Sequence, residues 1–145
     1  MGFNYIAQND VDNRKKLHPD WKIVGTEETT GNGTRGVCQT IKADGQDLAV
    51  ITIEVQDSKG RLVLDACPML NLSLTGEGRI LGVGNGDPSY LGSDHPNELD
   101  CHQFLIPAFN GLAQVIVQSC HQPSRIQLTC NADRLKDGTI SVIAE

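Results

Sequence analysis

Aliphatic side chains recur at every second position through most of this sequence. The clearest run is DLAVITIEVQD, in which Ala49, Ile51, Ile53 and Val55 occupy alternate positions. Successive side chains of an extended strand point to opposite faces, so this pattern predicts a strand with one buried face. β-Branched residues also favour the extended backbone. A chain built from such runs has to bury one face of each strand against a second layer.

The same alternation predicts seven or eight short strands and no helix. The other predicted strands are, in chain order, GVCQTIKA, RLVLDA, PMLNLSLTGEG, RILGVG, NGLAQVIVQS, RIQLTCNAD and GTISVIAE. Fifteen glycines supply turns between them, as at Gly45, Gly60 and Gly138. We therefore expect an all-β fold, an immunoglobulin-like antiparallel β-sandwich of seven to eight strands. The cysteine–tryptophan–cysteine spacing of antibody domains is absent, so the likeness concerns architecture only.

The 145 residues are enough for one domain of ordinary size. Residues 1–20 are polar and show neither strand nor helix periodicity, so we expect a linker or boundary segment there. The sandwich domain is expected over residues 21–145. Trp21 and Ile23 are expected to anchor its entry, before a loose turn at residues 31–36.

The charge of the chain excludes several classes of partner. The formal net charge is −6, and the densest basic segment is only Arg14-Lys15-Lys16. A protein that binds duplex nucleic acid needs a concentrated basic surface to displace counterions. No window approaches the roughly 18 apolar residues of a membrane helix, and no signal-peptide core is present at the start. We expect neither a nucleic-acid nor a membrane partner.

The cysteines do not form a recognisable framework. Their odd count favours free thiols, with one bridge such as Cys101–Cys120 left open. Two dipeptides, Cys101-His102 and Cys120-His121, raise the question of zinc. Neighbours on an extended strand point to opposite faces, so neither dipeptide is expected to supply two ligands to one ion. We expect no metal and no cofactor.

The segment ILGVGNGDPSYLGSDHP, residues 80–96, is the longest candidate functional loop. A phosphate cradle would need a helix behind the glycines, and none is predicted. Asn85, Asp87 and Asp94 offer oxygens to calcium, but the spacing and terminal glutamate of an EF-hand are missing. The favoured interpretation is a long inter-strand loop held by local hydrogen bonds.

Catalysis by this chain finds no support in its motifs. Acidic residues are scattered over turns, and no Ser, His and Asp set lies on a nucleophile elbow. Sugar-binding surfaces need aromatic side chains to stack on rings, and only Tyr90 lies in a conspicuous loop. We predict no catalytic residue. An independent carbohydrate-binding module remains the alternative.

Three blocks together carry a family resemblance: ADGQDLAVITIEVQDSKGRLVLDA, LTGEGRILGVGNGDP and FNGLAQVIVQS. They closely resemble the C-terminal immunoglobulin-like domain of glycoside hydrolase family 2 β-galactosidases, over residues 37 to 144. The resemblance implies an accessory domain of a retaining exo-glycosidase whose catalytic glutamates lie in a separate (β/α)₈ barrel. It is compatible with a periplasmic or secreted bacterial parent. The implied partners are the parent's other domains, including that barrel, or a second subunit.

One segment departs from the family pattern. Family members commonly continue through Ser-His-Glu and a short basic stretch, whereas this chain has the longer SYLGSDHPNELDCHQFLIPAFNG, with His95 and Glu98 separated by two residues. No role for the histidine is therefore carried over.

Seven residues form the predicted interface site. Asn85, Asp87, Phe109 and Asn110 are expected to hold the base of the loop. Tyr90, Leu91 and His95 are expected to face a neighbouring domain or subunit, because interface loops carry apolar tips.

Overall fold

The structure is a computed structural model that describes residues 22–27, 39–97 and 99–145, with side chains from residue 40 onward. The described residues form nine strands: β1 (Lys22–Glu27), β2 (Gln39–Ile41), β3 (Leu48–Gln56), β4 (Met69–Thr75), β5 (Gly78–Gly84), β6 (Gln103–Pro107), β7 (Leu112–Ser119), β8 (Ser124–Asn131) and β9 (Gly138–Ala144). In these ranges no helix is long and apolar enough to cross a bilayer.

The strands pair into two sheets. One has the order β1-β3-β7-β5 and the other β2-β9-β8-β4-β6. The first sheet corresponds to the A-B-E-D sheet of an immunoglobulin domain, and β9-β8-β4 to its G-F-C sheet. The predicted immunoglobulin-like sandwich is therefore confirmed. One pairing, β2 with β9, is parallel, which corrects the expectation of an entirely antiparallel arrangement.

The strand count differs from the prediction in three places. Two strands were missed: β1, and β6, which lies between the predicted strands RILGVG and NGLAQVIVQS. Both are edge strands, and their pairing partners, rather than a long alternating run, hold them extended. The predicted strand RLVLDA contributes only an isolated bridge between Leu62 and Gln56, since a turn closed by Ala66 N–H and Val63 C=O follows. The predicted linker (residues 1–20), Trp21 and the turn at 31–36 lie outside the described residues.

The core lies between the two sheets, as the alternation of aliphatic side chains predicted. In β3 and β7 every second side chain is buried, and β4 and β8 oppose them from the other sheet. Side chains at alternate positions of the predicted strands that are buried are Ala49, Ile51, Ile53, Val55, Leu70, Leu72, Leu74, Ala113, Val115, Val117, Ile126, Leu128, Cys130, Val142 and Ala144.

Asp57 organises the turn after β3. One of its carboxylate oxygens accepts hydrogen bonds from the backbone N–H groups of Lys59 (2.9 Å) and Arg61 (3.0 Å). The other accepts from Nε and Nη2 of Arg61, at 2.8 and 2.7 Å. The backbone N–H of Arg61, followed by its guanidinium group, lowers the pKa of Asp57 to about 2.

This turn should therefore lose stability in acid. Because folding lowers the pKa of Asp57 from 3.8, its contribution is complete above about pH 4 and is lost as the pH falls through 2. An NMR titration of the side-chain carboxyl should give the lowered pKa directly. In Arg61→Gln the pKa should rise only part of the way to 3.8, because the backbone donor remains. A pKa near 4 in the unmodified chain would contradict this account.

Candidate functional site

The long loop, residues 85–102, connects β5 to β6, and Asn85 fastens its base. The side chain of Asn85 is buried, with 8% of the residue exposed. Its Nδ2 donates to the backbone oxygen of Pro107 at 2.9 Å, and its Oδ1 accepts from the N–H of Asp87 at 3.0 Å. One amide thus ties the start of the loop to the end of the strand that follows it.

Asp87 forms the next turn. Its Oδ1 accepts from the N–H of Ser89 at 2.8 Å and from the Ser89 hydroxyl at 2.7 Å. These bonds, the hydroxyl first, lower the pKa of the Asp87 carboxyl. Its backbone oxygen also accepts from the N–H of Tyr90. Asp87 therefore stabilises the local backbone as an anion, which agrees with the favoured interpretation of this segment as a hydrogen-bonded loop.

The rest of the loop runs along the edge of the first sheet, and its last residue extends the β4–β6 pairing of the second. The N–H of Val83 donates to Asp94 O at 2.7 Å, and that of Ile80 donates to Cys101 O at 2.8 Å. On the other sheet, the N–H of Leu74 donates to His102 O at 2.7 Å. Since β5 is the last strand of its sheet, the loop covers an edge that would otherwise be open to pairing with another chain.

The three residues predicted to face a partner differ in exposure. Leu91 is 97% exposed, whereas Tyr90 is half-buried and packs against the core. His95 is exposed, and its Nδ1 lies 2.6 Å from Oδ1 of Asp94, a contact that lowers the pKa of Asp94. Leu99 is also fully exposed and was not predicted. A leucine within a polar, proline-containing stretch was the sequence signal that could have identified it.

Phe109 and Asn110 lie in the turn between β6 and β7. The N–H of Phe109 donates to Leu112 O, and that of Leu112 donates back to Phe109 O. Asn110 and Gly111 have φ angles of 53° and 78°, as a type I′ turn requires. The Asn-Gly dipeptide between two apolar runs was a hairpin signal in the sequence. The N–H of Gly111 further donates to Ala66 O at 2.7 Å.

An open groove of about 350 Å³ lies between the long loop and the outer face of the second sheet. We call it the outer-sheet groove, and its lining residues are Asn71, Ser93, His95, Pro96, Asn97, Asp100, Gln103, Phe104 and Leu105. Of these, only His95 was predicted as a site residue. The others come from the continuous stretch 93–105 and from Asn71 on β4, more than 20 positions earlier, so no local motif marks the whole set.

The cysteines within the described residues are free: Cys67, Cys101, Cys120 and Cys130. Burial, and to a lesser degree the charge of Asp137, raises the pKa of the Cys130 thiol to about 12. The Sγ of Cys101 lies 3.7 Å from Nδ1 of His102. Across the described part of the chain, no three His, Cys, Asp or Glu side chains come together as a metal site.

The fold and the loop define a class of protein: an immunoglobulin-like β-sandwich with one long, hydrogen-bonded loop across its sheet edges. The chain belongs to glycoside hydrolase family 2. Its residues 37–141 match the family known as glycoside hydrolase family 2 C-terminal domain 5. The resemblance carried by the three sequence blocks is thereby confirmed.

Relatives place this domain within larger proteins. The beta-galactosidase BoGH2A of Bacteroides ovatus is 32% identical over 163 aligned positions, which cover 97% of this chain and 18% of that protein. A solved family 2 member from Bacteroides cellulosilyticus has a TM-score of 0.72 at 27% identity, over 86% of this chain and 14% of its own. A beta-glycosidase from Bacteroides vulgatus, 20% identical, shares the fold with a TM-score of 0.70, over 85% of this chain and 14% of its own. This chain therefore spans less than a fifth of the length of these relatives.

Proposed function

We propose that this chain is a non-catalytic accessory domain of a family 2 β-galactosidase-type hydrolase that packs against a neighbouring domain through the long loop. The main observation behind this proposal is the exposure of Leu91 and Leu99, at 97% and 101%, on a loop that hydrogen bonds hold in place. Exposed leucines on an ordered loop are typical of a surface that another domain covers. Packing, oligomerisation and control of access to an active site are the roles that such a contact serves.

The state of the carboxyl groups supports a non-catalytic role. The described carboxyl groups with a resolved pKa shift are Asp44, Asp57, Asp87 and Asp94, and each pKa is lowered. Glycoside hydrolysis needs a general acid whose pKa is raised, beside a second carboxylate across the sugar. Turnover of p-nitrophenyl β-galactoside by this chain is therefore expected to be absent. Turnover that a single Asp or Glu substitution abolishes would contradict the proposal.

Hydrogen–deuterium exchange tests the packing role. The amides of residues 88–97 should exchange more slowly in the multidomain glycosidase than in this chain alone, because a neighbouring domain would cover them. Amides of residues 57–60, in the turn that Asp57 organises, serve as the internal control and should exchange equally in both. Leu91→Ser should reduce the difference at residues 88–97 and leave the control unchanged. Equal exchange at 88–97 in both proteins would refute packing through this loop.

A further inference from the structure

The outer-sheet groove is a concave surface between two walls, one on the sheet and one on the long loop. Asn71 and Leu105 are opposite each other in the β4–β6 register, and both side chains are exposed on the outer face of the sheet. The facing wall comes from the long loop, through Ser93, His95, Pro96, Asn97 and Asp100. The volume of about 350 Å³ lies at the small end of the range for small-molecule sites.

Four polar side chains of the groove are not used by the fold, whereas Ser93 and His95 form hydrogen bonds within the loop. The side chains of Asn71, Asn97, Asp100 and Gln103 make no hydrogen bond to other described residues. A carboxamide both donates and accepts, and a carboxylate accepts at two oxygens. Vicinal hydroxyl groups, each a donor and an acceptor, match this set. Leu105, 61% exposed on the outer face, adds apolar surface for the C–H face of a ring.

The charge distribution selects among hydroxyl-rich ligands. No Lys or Arg lines the groove, and the sequence has none between Arg79 and Arg125. The nearby charged groups are carboxylates, Asp94 and Asp100. His95, the lining residue that could carry a positive charge, is already paired with Asp94 at 2.6 Å. A uronate, sulfate or phosphate would meet the carboxylates Asp94 and Asp100 and would be disfavoured. We propose that the outer-sheet groove binds a neutral saccharide. The groove shares loop residues within the range 93–97 with the proposed packing surface. The inference does not rest on the packing role, because it is tested on this chain alone.

An NMR titration of the 145-residue chain with lactose and cellotetraose tests the inference. Backbone and side-chain amide signals of Asn71, Asn97 and Gln103 should shift with a dissociation constant of about 1 mM for at least one sugar. Digalacturonate, the charged probe, should bind at least tenfold more weakly. Asn71→Leu and Gln103→Leu should each weaken sugar binding about fivefold to tenfold through loss of hydrogen bonds.

Gln127→Leu is the matched control. Gln127 is exposed on the outer face of the same sheet, in β8, and does not line the groove. It should leave affinity unchanged. The inference fails if no groove signal shifts at about 50 mM sugar, if digalacturonate binds as well as the neutral sugars, or if Gln127→Leu weakens binding as much as Gln103→Leu. Its failure leaves the exchange test of domain packing untouched, because that test compares this chain with the multidomain protein.

Discussion

Gly111→Ala should lower the free energy of unfolding by about 3–4 kcal/mol. The φ angle of Gly111 is 78°, a backbone conformation that disfavours any Cβ. A Cβ at this position would also overlap the backbone oxygen of Val63. The backbone cannot easily shift to relieve this overlap, because Gly111 N–H donates to Ala66 O and Gly111 O accepts from Val55 N–H. Urea denaturation followed by circular dichroism would measure the loss.

Gly86→Ala separates the conformational cost of a positive φ angle from the steric cost of the added Cβ. Gly86 also follows an asparagine and has a φ of 75°, but a Cβ there would meet no atom within 4 Å. This variant should therefore lose only the conformational part, about 1 kcal/mol. The difference between the two variants measures the steric cost at Val63. Equal losses would show that the hairpin tolerates the extra carbon.

Asn85→Ala should be destabilised by about 2 kcal/mol and should loosen the long loop. The substitution removes two hydrogen bonds and leaves the backbone oxygen of Pro107 without its amide donor. A buried acceptor left unpaired costs more than the lost bond itself. The free energy of unfolding from urea denaturation would measure the first effect. Faster amide exchange at Asp87 and Ser89 would measure the second.

Asn97→Ala is the control for Asn85. Asn97 is exposed in the same loop, and its side chain makes no hydrogen bond to other described residues. Its replacement should change stability by less than about 0.5 kcal/mol. If Asn85→Ala behaved like this control, the amide of Asn85 would not fasten the loop.

Residues with strong local patterns were predicted well, and those that depend on distant partners were not. The alternation in β3 and β7 identified their buried faces, because the period of two is a property of the extended backbone itself. The five residues of β6 carry no such run, and they are extended because β4 pairs with them. RLVLDA looks like a strand but has only one bridge, at Leu62. Pairing, rather than propensity, decides such short segments.

In the candidate site, too, features with local partners were predictable and features with distant partners were not. The Asn-Gly-Asp segment and the Leu91 tip were visible as a long, locally bonded loop, since the partners of Asp87 lie within three residues of it. The partner of Asn85 is Pro107, 22 residues away. The outer-sheet groove joins Asn71 to residues more than 20 positions later, so only the folded chain brings them together.

The sequence alone determined which faces of the strongly alternating strands are buried, that the chain forms a sandwich, and that it resembles a glycoside hydrolase family 2 domain. These properties follow from side-chain alternation and from short blocks of residues read in order. Tertiary structure decided the neighbours of each strand, the parallel β2–β9 pair, the edge that the long loop covers and the groove behind it. Strand pairing and loop docking depend on contacts between distant segments, whose choice is governed by the packing of the whole core.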